Sequence, residues 1–178
     1  MNKTVNERIA ALQKRMKEEN IDIYLVPTSD YHQSEYVGNY FKSRQYLTGF
    51  TGSAGTAVVT RDECYLWTDG RYFIQAELEL AGTSCKLMKM GQPGVPTISQ
   101  FLEEHLPKHC VLGFDGRTIS MLDGLEYMHM VDKKHGRVRS ELDLIQDIWV
   151  GRPSRSMDPV FSLDLKYAGE STASKLAR

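Results

Sequence analysis

The chain has 178 residues, room for one well-filled core or one domain with a short appendage, and not for two full-sized domains. Apolar residues make up 41% and charged residues 25%, which excludes a disordered, collagen-like or coiled-coil chain. With 22 basic against 23 acidic residues, the molecule lacks the positive field that draws nucleic acid or anionic lipid, and neither partner is expected.

The first predicted element is an amphipathic helix with Val5, Ile9, Leu12 and Met16 on one face, opened by a Thr4/Glu7 capping box. Nothing around Lys3, Glu7 and Arg8 builds the apolar core of a signal peptide, and no apolar run reaches the ~18 residues of a membrane span. A cytoplasmic location is therefore expected. Ile21 to Val26 reads as a buried strand ended by Pro27. A long connection follows, dense in aromatic residues (Tyr31, Tyr36, Tyr40, Phe41, Tyr46, Phe50) and expected to carry a short helix around residues 34–41.

Thr56 to Thr60 and Cys64 to Thr68, joined by Arg61, Asp62 and Glu63, have the spacing of a β-hairpin. Asp69 is the expected cap of a helix whose inward face carries Phe73, Ala76 and Leu80 and which ends at Gly82. Cys85 to Met88 is the next strand. Thr97 and Gln100 form a second capping box for a helix holding Ile98, Phe101, Leu102 and His105, with Pro107 beyond its end. Cys110 to Phe114 is again a strand. A helix from Ser120 is expected to turn Met121, Leu122, Leu125 and Met128 inward, and Val138 between Arg137 and Arg139 suits an edge strand.

This order predicts an α/β fold, a mixed central sheet with helices on both faces. Residues 1–150 form the expected domain. After a short apolar helical piece at Leu144 to Trp149, residues 151–178 read as a linker and the opening of a second, truncated domain.

Few motifs carry chemistry by themselves. The run Gly49 to Gly55 has glycines for a phosphate cradle, but no Lys-Ser or Lys-Thr follows and the next element is a strand, so close backbone approach is the better reading. His32 and Glu35, His105 and His109, and His129 and His135 match no metal-ligand spacing. The cysteines Cys64, Cys85 and Cys110 are distant in sequence and odd in number, suiting small apolar strand positions better than a disulfide framework or thiolate zinc site. Asp69-Gly70-Arg71-Tyr72 lies where a strand becomes a helix; Arg71 can present its donor fork to a carboxylate or peptide carbonyl, or simply pin the turn. Physics alone leaves both open.

As a set, several blocks resemble the N-terminal domain of aminopeptidase P, the Xaa-Pro aminopeptidase family in its large three-domain form, a domain type shared with creatinase and prolidase. They are Ser29-Asp30-Tyr31-His32-Gln33-Ser34-Glu35-Tyr36, the run from Tyr46 to Ala57, Trp67-Thr68-Asp69-Gly70-Arg71-Tyr72 continuing to Ala76, Leu87 to Gly91, and Ile148-Trp149 with Arg152-Pro153. The resemblance implies a parent hydrolase that removes the first residue from peptides with proline second. Its two divalent metal ions, commonly manganese, would be held by a C-terminal domain, leaving no metal ligand, cofactor or catalytic residue in this chain and making the chain alone inactive. It also implies that Arg71 contacts bound peptide, that His32, Tyr36 and Phe50 support that face, and that the parent is a homo-oligomer. The rival reading is a standalone peptide- or protein-binding module of the same fold.

Overall fold

The computed structural model describes residues 4–178; Lys3 and the two residues before it lie outside the described residues. Helix α1 (Val5–Glu18) starts at the Thr4 capping box, in which Thr4 Oγ1 accepts from the Glu7 amide and the Glu7 carboxylate accepts from the Thr4 amide at 2.7 Å. Strands β1 (Ile23–Pro27), β2 (Thr56–Thr60), β3 (Cys64–Thr68), β4 (Cys85–Lys89), β5 (Val111–Phe114) and β6 (Arg137–Arg139) form one sheet in the order β4-β3-β2-β1-β5-β6. β2 runs antiparallel to both β1 and β3, while the β3/β4, β1/β5 and β5/β6 pairs are parallel.

Strand alternation sends Tyr24, Val26, Ala57, Val59, Cys64 and Leu66 to one face. There they meet Ile9, Leu12 and Met16 of α1, Leu47 of α2 (Ser43–Thr48), Ala76 of α3 (Phe73–Glu79), and Leu144, Ile145 and Ile148 of α6 (Leu144–Ile148). Ile23, Leu25, Val58 and Trp67 point to the other face, against Phe101 and Leu102 of α4 (Ile98–His105) and Met130 and Val131 of α5 (Met121–Lys133). The mixed sheet with helices on both faces is therefore as the element order predicts.

Three local expectations are corrected. The helix expected at residues 34–41 is displaced: a 3-10 turn occupies Asn39–Phe41 and α2 follows it, because Asp30 gathers the His32 and Ser34 amides into an irregular loop. Asp69 does not cap α3; its carboxylate is taken by Arg71, and α3 begins after Tyr72 with no side-chain cap. In α5 the expected inward set, Met121, Leu122, Leu125 and Met128, lies exposed, and the C-terminal turn makes the buried contact. Periodicity finds an apolar stripe on a helix without saying which side meets the sheet.

Beyond α6 the chain is anchored by Arg152. Its guanidinium donates to Tyr40 O at 2.9 Å, Asp143 Oδ2 at 2.6 Å and Ser43 Oγ at 3.0 Å, and stacks 4.0 Å from the Tyr40 ring. Further on, α7 (Leu165–Ala168) and α8 (Thr172–Leu176) bury no residue.

Candidate functional site

The site grows from the glycine-rich run between α2 and β2. Gly49 ends α2 in the left-handed conformation at φ 78°, turning the chain so that Phe50 drops into the core. Arg44, on α2, is buried beneath the run. It donates to Thr28 Oγ1 at 3.0 Å, to Phe50 O at 2.5 Å and to Gly52 O, with its guanidinium over the Phe50 ring. Burial pulls this guanidinium down to about 10. A carbonyl-lined seat thus holds the loop in one shape.

Gly52 then allows close packing: a Cβ there would sit 2.3 Å from Phe50 Cζ and 2.7 Å from Tyr72 Cδ1. The two rings meet edge to face at 5.8 Å. Ser53 Oγ lies 2.7 Å from Tyr72 Oη and 2.7 Å from Glu35 Oε1. The Ser53 hydrogen goes to the carboxylate, which has no proton to give, so Tyr72 donates to Ser53. Glu35 Oε1 stands 3.5 Å from Arg71 Nη1.

Arg71 itself is largely exposed. Its Nε and Nη2 donate to the two Asp69 oxygens at 3.0 and 2.9 Å, and its backbone amide donates to Oδ1 at 3.0 Å. The fork holds the Asp69 carboxyl below its usual range, and Asp69 in turn raises the guanidinium above its own. Pinning the turn uses the inner edge of the guanidinium. Nη1 makes no short hydrogen bond and stands 3.5 Å from the Glu35 carboxylate.

Beside this group is a cleft of about 290 Å³ lined by Glu35, Tyr36, Arg44, Thr51, Gly52 and Ser53 among others. Of the residues singled out from sequence, Tyr36 borders this cleft and is highly exposed, while Phe50 is fully buried and supports the site from beneath, through the Tyr72 ring and Arg44. His32 is elsewhere, in a groove between Tyr31, Tyr40 and residues 154–158. Glu35, Ser53 and Arg44 were missed. In sequence Glu35 stands out only as a metal partner for His32, because its contact with Ser53 of the glycine run depends on the loop closing. Among the described residues, no three His, Cys, Asp or Glu side chains converge to hold a metal ion, so a dinuclear centre finds no donor set here.

Residues 8–136 match the Creatinase/Prolidase N-terminal domain. The chain belongs to this family. It is 42% identical over 178 residues to a probable Xaa-Pro aminopeptidase P of Laccaria bicolor, covering 98% of this chain and 28% of that protein. It is 40% identical to aminopeptidase P2 of Arabidopsis thaliana, covering 97% of this chain and 25% of that one. The solved X-prolyl aminopeptidase of Caenorhabditis elegans, described as a cytosolic enzyme with a di-nuclear active site, superposes with a TM-score of 0.87 at 33% identity. That superposition covers 98% of this chain and 30% of the enzyme. The family member described here thus spans under a third of the length of these relatives. None of its described helices is long and apolar enough to cross a membrane.

Proposed function

We propose that this chain serves as the N-terminal, non-catalytic domain of a cytoplasmic Xaa-Pro aminopeptidase and presents Arg71 to the peptide substrate. Residues 151–178 are then the linker and the opening of the next domain, in keeping with the lack of buried side chains in α7 and α8. Two divalent ions, manganese by the family resemblance, would supply the attacking hydroxide from a donor set outside this chain. The homo-oligomeric parent and the proline in the second peptide position belong to the same reading.

The observation that carries the role of Arg71 is its divided hydrogen bonding. Asp69 fixes the plane of the guanidinium through Nε and Nη2, and Nη1 makes no hydrogen bond, its nearest carboxylate being Glu35 at 3.5 Å, a residue that lines the cleft. Such a corner can donate to a peptide carbonyl or carboxylate without first reorganising. In the full-length protein, Arg71→Ala should lower kcat/KM on an Xaa-Pro peptide by about 10- to 100-fold, the scale of one charged hydrogen bond. Arg71→Lys should restore only part, because it lacks the planar fork. Unchanged kcat/KM in Arg71→Ala would return the residue to turn-pinning alone.

A further inference from the structure

Two cysteines distant in sequence are neighbours in the sheet. Cys64 opens β3 and Cys85 opens β4, and the parallel pairing sets them directly opposite each other. Strand spacing of about 4.8 Å falls inside the Cα separation of about 4.4–6.8 Å that a disulfide spans. Both side chains point into the same core, and their sulfurs are 3.2 Å apart. Closing that gap by about 1 Å to a bond needs side-chain rotation and no change of strand register. The third cysteine, Cys110, packs on the opposite face of the sheet and has no sulfur partner.

We propose that Cys64 and Cys85 are a latent dithiol pair that hydrogen peroxide converts to an intramolecular disulfide. One sulfur, as thiolate, attacks the peroxide O–O bond, becoming a sulfenic acid as a first water leaves. The second sulfur attacks the first; the S–S bond forms, the S–O bond breaks, and a second water leaves. Two electrons and two protons pass from the dithiol to the peroxide, and a small dithiol reductant reverses the change.

Access sets the rate. Both sulfurs are buried, and contact with Cys85 together with burial holds the Cys64 thiol well above its ordinary range. β4, however, is an edge strand paired only with β3, so the sulfurs are reached when that edge opens. The bond ties the two ends of the segment that carries Asp69, Arg71, Tyr72 and α3. It links oxidant exposure to the rigidity of the segment bearing Arg71, independently of whether Arg71 meets a peptide.

The test uses the 178-residue chain, treated with hydrogen peroxide at neutral pH, then unfolded and titrated for thiols. The titre should fall from three to one, with a linked Cys64–Cys85 peptide in the digest, Cys110 still free, and full recovery in dithiothreitol. Amide exchange in residues 64–89 should slow in the oxidised form. Cys64→Ser and Cys85→Ser should each keep both remaining thiols over the same exposure. A titre that stays at three, loss of Cys110 first, or disulfides only between chains would overturn the proposal, and the wild-type measurement stands even if a serine variant folds poorly.

Discussion

The tripeptide Asp-Gly-Arg occurs twice, each time at the residue after a strand: Asp69-Gly70-Arg71 follows β3 and Asp115-Gly116-Arg117 follows β5. Local geometry is nearly the same. In both, the arginine amide donates to the aspartate Oδ1, at 3.0 and 3.1 Å, Nε donates to the same oxygen at 3.0 and 2.8 Å, and Nη2 donates to Oδ2 at 2.9 and 2.8 Å. The surroundings differ. Arg117 also donates to Tyr40 Oη at 3.0 Å and to Asp143 Oδ2 at 2.5 Å, and Asp143 is shared with the buried Arg152. Arg71 has the Glu35 carboxylate at 3.5 Å and the Tyr72 ring at 5.3 Å but no further hydrogen bond, and its side chain is 61% exposed against 31% for Arg117. The same fork is a latch where three elements converge on it and an exposed, lightly held donor where they do not.

Asp143→Ala should break the latched copy most severely. It strands Arg117 and the buried side chain of Arg152 without their common carboxylate and removes the side-chain acceptor for the Gln146 amide at the start of α6, leaving that amide the Asp143 carbonyl. The expected loss is about 3 kcal/mol, read from urea unfolding of this chain.

The glycines sharpen the contrast at a smaller scale. Gly116 donates to Ser140 O at 2.8 Å, and a Cβ on Gly116 would lie 2.8 Å from that same backbone oxygen; at Gly70 the nearest atom would be 3.9 Å away. Gly116→Ala should therefore cost about 1–3 kcal/mol, because a backbone carbonyl must move. Gly70→Ala should stay within about 0.5 kcal/mol. Equal losses at the two positions would remove the distinction.

Acid should act on the exposed copy only weakly. The Asp69 carboxyl is held below its ordinary range by Arg71, so its contribution is present above about pH 4 and is lost as pH falls through the lower folded value. Solvent screens this pair, and Asp69→Asn should move Tm by no more than about 2 °C at neutral pH while slightly flattening the acid limb of the stability curve. A large acid shift assigned to Asp69 would mean that its turn is held far more tightly than the exposure of Arg71 implies.

Much of the fold was legible from sequence because its signals are local. The two capping boxes, the hairpin spacing and the short β-rich apolar runs of β1 and β2 each depend on residues within a few positions of one another. The candidate site was legible only in part. Arg71 stands out beside a strand end, but Glu35, Ser53 and Arg44 acquire their roles through contacts made when the 28–55 loop folds over α2. Nor can the pattern of α5 tell its sheet side from its solvent side, since both carry apolar residues.

The sequence by itself determined the α/β class, nearly all the elements and the family, since periodicity, caps and motif blocks are properties of short stretches. Both Asp-Gly-Arg forks rest on hydrogen bonds that span only two residues, yet in sequence Asp69 reads as a helix cap and Asp115 does not stand out. Tertiary structure alone decided which fork is left exposed, that His32 stands apart from Arg71, and that Cys64 meets Cys85. The physical reason is that burial and register are set by chain segments far apart in sequence, and those settings determine whether a group is neutralised or left available.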